Sequence, residues 1–109
     1  MTQMTESEYT HLADTALNKI EHALEAIEDG VDFERAAGGI LEVEFDNGSK
    51  IIINKQSATQ EIWVAARSGG YHYRWDGAAW SDTRTGEELF AALSGFASAQ
   101  AGQTIQLSI

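Results

Sequence analysis

A chain of 109 residues with 43% hydrophobic content can bury one compact core. It has no cysteine, which excludes disulfides, thiolate metal sites and cysteine-held clusters. Net charge is −10, from 17 acidic and 7 basic residues, and the imbalance is confined to residues 1–46, where 12 acids stand against Lys19 and Arg35. Such a field repels nucleic acid and anionic membranes and attracts cations or a basic protein surface. No apolar run approaches the roughly 20 residues of a membrane span, and the first residues lack the regions of a secretory signal. A single cytoplasmic domain over residues 1–109 is expected.

Residues 7–28 read as an amphipathic helix capped by Ser7. Tyr9, Leu12, Ala16, Ile20, Ala23, Leu24 and Ile27 recur at spacings of three and four, one apolar stripe at helical period. Asp14, Asn18, Glu21, Glu25, Glu28 and Asp29 follow the same spacing on the opposite, solvent-facing side. Carboxylates at i,i+4, such as Glu21 and Glu25, repel one another, and acids near a helix C-terminus oppose its dipole. Two local rules fail at one place, which marks it for function. Gly30 is expected to end the helix in a left-handed conformation.

Asp32-Phe33-Glu34 then reads as a short edge strand, and Gly38 to Trp80 as one antiparallel meander. Leu41, Val43 and Phe45 alternate with Glu42 and Glu44. Asn47-Gly48 suits a type I′ hairpin turn. Ile51 to Lys55, Ile62 to Arg67, Tyr71 to Trp75 and Ala78 to Ser81 supply further strands. Taking Gly69-Gly70 as a two-residue loop sets Arg67 opposite His72 and Val64 opposite Trp75. It places Ile62, Val64, Ala66, Tyr71, Tyr73 and Trp75 on one face and Trp63, Ala65, Arg67, His72 and Arg74 on the other. The first face is core-like; the second is cationic and carries an indole. Thr85 and Glu88 match a capping box for a second helix to about Ala101, with Gly102 as its stop. Ile105, Leu107 and Ile109 give the tail three apolar side chains to pack beside the helices. The order helix, sheet, helix predicts an α+β fold, a two-layer α–β sandwich with both helices on one sheet face.

Catalytic motifs are absent. There is no GxSxG, P-loop or GxGxxG. His11, His22 and His72 lack zinc-ligand spacing. The acids of the first helix are either a solvated face or a weak, water-completed site for hard cations, which oxygen donors suit; His22 stands beside them. Trp63, next to Arg67 and His72 on the open face, has the composition of a protein-binding hot spot.

These residues resemble the frataxin family, in particular its bacterial members. The matching blocks are DNGSKIIINKQ (Asp46 to Gln56), QEIWVA (Gln60 to Ala65), SGGYHY (Ser68 to Tyr73) and TGEELFAAL (Thr85 to Leu93), with the acidic first helix and Gly38-Gly39. The resemblance implies the same sandwich fold and a non-enzymatic protein of iron–sulfur cluster assembly. It implies weak Fe2+/Fe3+ binding, with other divalent cations possible, on Glu21, Glu25, Glu28 and Asp29 and on the strand residues Asp32 and Glu34; Asp14 and His22 extend that candidate set. It also implies cysteine desulfurase and the iron–sulfur scaffold protein as partners, met through Asn54, Gln56 and Trp63, with Arg67 and His72 on the same face. Ala58 stands where relatives often carry proline, and His22 and Ala26 where close bacterial relatives tend to carry acids, so the ridge is thinner here. Two other functions compete: a ferroxidase that stores iron in oligomers, and an acidic adaptor with incidental metal binding. Under the first reading the protein is a monomer, with iron-induced oligomers as a further state.

Overall fold

A computed structural model of the chain describes residues 4–27, 30–36 and 38–107. Eight elements follow in order: α1 (Glu6–Glu25), β1 (Val31–Ala36), β2 (Ile40–Phe45), β3 (Lys50–Gln56), β4 (Glu61–Ala66), β5 (Gly69–Trp75), β6 (Trp80–Asp82) and α2 (Leu89–Ala101). The strands form one antiparallel sheet in sequence order. Both helices pack on one of its faces, as the pattern of elements predicts.

The helix starts earlier than Ser7. Thr5 is the N-cap: its hydroxyl accepts from the Glu8 N–H at 3.1 Å, and Glu8 Oε1 accepts from the Thr5 N–H at 2.8 Å. This reciprocal box satisfies two orphan donors. The C-terminus also departs from expectation, because α1 stops at Glu25 with Ala26 as its cap. Gly30 does hold a positive φ of 88°, but it leads into β1 rather than ending the helix. The buried side of α1 is Tyr9, Ala13, Ala16, Leu17, Ile20 and Leu24, with Leu12 and Ala23 only half-buried. The helix is thus rolled relative to the expected stripe, and the roll brings Asp14 and Glu21 toward the sheet.

Two hairpin turns differ from the sequence reading. Phe45 and Ser49 close a three-residue loop of Asp46, Asn47 and Gly48, and only Gly48 takes positive φ, at 85°. A type I turn followed by a left-handed residue also fits the sheet twist, so Asn47 needs no strained backbone. Its side chain accepts from the Ser49 N–H and donates to the Gln100 carbonyl instead. Between β4 and β5 the turn is Arg67-Ser68, not Gly69-Gly70, and Ala66 pairs with Gly69. Trp63 therefore faces His72, Val64 faces Tyr71 and Ile62 faces Tyr73. The expected pairs Arg67 with His72 and Val64 with Trp75 do not form. The slip is an even number of residues along β5, so every side chain that stays in β4 and β5 keeps its expected face, while Arg67 moves into the turn.

The core combines Tyr9, Leu17, Ile20 and Leu24 of α1 with Leu41, Val43, Phe45, Ile51, Ile53, Ile62, Val64 and Tyr73 of the sheet and Leu89, Leu93 and Ala97 of α2. Trp80 is 3% exposed, whereas Trp75 is half-buried. Thr85 does not cap α2. Asp82 donates its N–H to the Glu87 carbonyl and takes the N–H groups of Arg84 and Thr85 on its carboxylate, wrapping that segment around the end of β6. Glu88 then becomes the N-cap, accepting from Phe90 and Ala91. Gly102, at φ 72°, ends the helix as expected. The tail folds back on α2, where Ser98 and Ser94 accept from the N–H groups of Ile105 and Leu107. Ile105 and Leu107 are buried there; Ile109 lies outside the described residues. The tail lines an apolar groove of about 810 Å³ between the helices, together with Leu12, Ala16, Phe90 and Ala91.

Candidate functional site

Strand alternation splits the acidic half of the chain into two surfaces. Val31, Phe33 and Arg35 of β1 point toward α1, and Asp32 and Glu34 point to the opposite, uncovered face. On that face Asp32 stands opposite Glu44, and Glu34 opposite Glu42. Like charges directly opposed across a ladder are destabilising. Lys50 relieves part of this, with Nζ 2.8 Å from Glu42 Oε1. The hydrogen bond to Glu42 raises the Lys50 pKa, followed by the charges of Glu42 and Glu44.

The helix acids lie on the other side of the edge strand, and two of them are engaged. Arg35 Nη2 donates to Glu21 Oε1 at 2.8 Å and to Asn18 Oδ1 at 2.9 Å. Lys55 Nζ pairs with Asp14 Oδ1 at 2.5 Å. Lys55 follows Ile51 and Ile53 on the inner row of β3, passing Gly39, where an added Cβ would come within 2.4 Å of its Cε. The solvent-facing ridge of the sequence reading is thus a flank that clasps the sheet through Asp14 and Glu21. Glu25 and His22 remain exposed; Glu28 and Asp29 lie outside the described residues. Among the described residues no three carboxylates or imidazoles gather closely enough to hold a metal ion. Of the expected set, Asp32 and Glu34 lie on the uncovered sheet face, whereas Glu21 is held on the helix side of the edge strand by Arg35.

A second constellation occupies the uncovered face at β4 and β5. The pairing Trp63 with His72 and Glu61 with Arg74 makes a block of four side chains. The Trp63 and His72 rings stack at 4.3 Å and 6°. Trp63 Nε1 donates to Glu61 Oε1 at 2.8 Å, Thr59 Oγ1 to the same oxygen at 3.2 Å, and Arg74 Nη2 to Oε2 at 3.0 Å. His72 Nδ1 lies 3.7 Å from Oε1. Burial raises the Glu61 pKa, but the bonds from Trp63, Thr59 and Arg74 and the Arg74 charge outweigh it, and the net shift is downward. Gln60, just before Glu61, has a left-handed φ of 58°, rare for a residue with a Cβ. Its side chain donates to the Met4 carbonyl, which ties this turn to the start of α1.

Trp63 is half-buried rather than broadly exposed, and its neighbours are His72, Glu61 and Asn54; Arg67 sits in the following turn, its N–H held by Gln100. Gln56 Nε2 donates to Asn54 Oδ1 at 3.2 Å on the same face. The structure brings Asn54, Gln56, Trp63 and His72 together there. Sequence reasoning missed Glu61, Arg74 and Arg35 as site residues. Arg35 carried a signal, since it shares the inward parity of Val31 and Phe33.

The chain matches the frataxin-like domain family model over residues 2–103. It is 56% identical to the iron-sulfur cluster assembly protein CyaY of Dechloromonas aromatica, over 95% of this chain and 99% of that one. Identity to the protein of the same name from Cupriavidus taiwanensis is 52%, over 96% and 97%. The fold is similar to that of a frataxin from Psychromonas ingrahamii, with TM-score 0.88 and 33% identity over 97% of this chain and 100% of the other. A trimeric frataxin from the yeast Saccharomyces cerevisiae shares the fold at TM-score 0.67 and 24% identity, over 94% and 91%. With its sandwich of two helices on a six-stranded antiparallel sheet and this match along nearly all of its length, the chain belongs to the frataxin family.

Proposed function

We propose that this protein is a non-enzymatic, cytoplasmic iron-binding protein that regulates or supplies iron to iron–sulfur cluster assembly by docking on the cysteine desulfurase and its scaffold protein. The observation that carries this reading is the full-length likeness to bacterial relatives named as iron–sulfur cluster assembly proteins. Iron is cargo here, met by Glu25, Glu28 and Asp29, and by Asp32 and Glu34 of the edge strand. Binding is weak and mostly hydrated, because Arg35 already holds Glu21 and no described group of three donors converges. The partner surface is the open sheet face around Asn54, Gln56, Trp63, Arg67 and His72.

The same geometry favours one second reading, an adaptor whose metal binding is incidental. A ferroxidase is disfavoured because a buried di-iron site uses carboxylates converging from several helices, and among the described residues no three such donors gather. A pull-down from cytoplasmic extract, with and without iron, tests the proposal. Recovery of a cysteine desulfurase supports docking, and recovery that depends on iron separates the cargo reading from the adaptor. Failure to recover it under either condition refutes the proposal. No helix among the described residues is long and apolar enough to cross a membrane.

A further inference from the structure

Glu61 lies on the sheet face that carries no helix, yet its side chain is only 8% exposed. Buried carboxylates are stable only when their lone pairs are filled. Here they are filled by Trp63, Thr59 and Arg74, the side chains that roof it over. His72 and Arg74 stay about half exposed at 48% and 53%. The carboxylate is thus enclosed by groups whose outer surfaces face solvent. An indole free to rotate about two torsions would have to be ordered when a partner binds, at a cost in affinity. An indole already bonded through Nε1 and stacked on an imidazole has lost that freedom beforehand.

We infer that Glu61 is a positioning residue for the partner surface: its carboxylate fixes the Trp63 indole and the Arg74 guanidinium, so that the Trp63–His72 stack is presented ready-formed. The inference rests on the proposed docking face and names the residue that organises it. The two oxygens divide the work, Oε1 toward the indole and Oε2 toward the guanidinium. A glutamine can still accept the indole N–H, but its amide nitrogen then confronts Arg74, itself a donor. An alanine releases both.

The test uses Glu61→Gln, Glu61→Ala, Trp63→Ala and the Glu61→Ala/Trp63→Ala pair in the full chain. Tyr9 Oη donates to the backbone carbonyl of Glu61 at 2.8 Å, a bond that substitutions of the Glu61 and Trp63 side chains leave in place, so β4 stays seated against α1. The first readout is the Trp63 indole Nε1–H signal by NMR, with its exchange rate and its contacts to His72. The second is the affinity for purified cysteine desulfurase. Glu61→Ala is expected to speed indole exchange about tenfold, remove the ring contacts and weaken binding about tenfold; Glu61→Gln keeps the indole bonded and weakens binding about two- to threefold. Truncating Trp63 in the Glu61→Ala background adds less than it does alone, since one residue acts through the other. An indole signal unchanged in Glu61→Ala overturns the inference, as does strict additivity of the two truncations. If Trp63→Ala binds like the unaltered protein, the docking face itself is refuted, whatever the indole signal shows.

Discussion

Replacing Arg35 by methionine should tighten metal binding on the helix flank while leaving the fold nearly as stable. Arg35 and Glu21 side chains are 29% and 25% exposed, so their ion pair is partly shielded from water. Losing such a pair costs about 0.5–1 kcal/mol. Methionine retains the packing of the stem and removes a buried Nε that has no hydrogen-bond partner. The net change in stability should therefore stay under about 1 kcal/mol, roughly 4–8 °C in Tm at most. Metal affinity should move more. A unit positive charge about 5 Å from a divalent ion at Glu21 opposes it by about 1.7 kcal/mol at the dielectric of water, and by about 1 kcal/mol once physiological salt screens the pair. Removing that charge predicts about 5- to 18-fold tighter binding of Co2+ or Mn2+, used as air-stable surrogates. Titration calorimetry gives the affinity, and line broadening of amides from Glu21 to Glu34 gives the location. Arg84→Met, an exposed arginine in the loop after β6, is the control and should change nothing. Unaltered affinity in Arg35→Met, or broadening centred on Glu42 and Glu44, would refute the idea that Arg35 competes with metal on this flank.

Three further predictions follow from burial, capping and charge. Trp80→Ala should cost about 3–5 kcal/mol in urea unfolding, whereas Trp63→Ala, half-buried, should cost roughly 1–2 kcal/mol and Trp75→Ala should fall between; equal losses at Trp63 and Trp80 would contradict the observed packing. Thr5→Ala should destabilise by about 1 kcal/mol by removing the α1 cap, and Ser7→Ala by no more than a few tenths, read as shifts in denaturant midpoint. Glu61 has a folded pKa below the ordinary glutamate value of 4.5, so its contribution is fully present above that value and is lost as pH falls through its lower folded pKa. The stability gap between the unaltered protein and Glu61→Gln should accordingly narrow with acidification below about pH 4.5, and a gap that widens there would reverse the sign of the shift.

The fold was legible because hydrophobic period alone separates helix from strand, and because faces survive errors of even register. The misplaced Gly69-Gly70 turn shows the mechanism. Moving the loop to Arg67-Ser68 shifts every pairing by an even count, so Trp63 and His72 keep the open face that alternation assigns. What changes is which residues touch, and that no alternation pattern encodes. Capping motifs failed for a related reason. Thr85 and Glu88 have the right spacing, but Asp82 offers a competing set of hydrogen bonds from the end of β6, and the longer-range contact wins. At α1 the box of Thr5 and Glu8 forms as its spacing dictates.

The acidic half of the chain was harder to read because net charge has no direction. Counting carboxylates over residues 1–46 gives one strong negative field, but the edge strand runs through it and sends alternate side chains to opposite sides. Asp32 and Glu34 join Glu42 and Glu44 on the open face, while Asp14 and Glu21 turn inward to Lys55 and Arg35. The two basic residues that point inward from the sheet are the ones that neutralise the helix. They convert carboxylates that would repel one another into ties between α1 and the sheet, which offsets the cost of the i,i+4 repulsion read in the sequence. The same ties withdraw ligands from any cation arriving from solution. If the flank takes metal as proposed, stability of the helix on the sheet and affinity for that metal are expected to oppose one another. Arg35 is where the opposition is strongest, because it holds Glu21 and Asn18 at once.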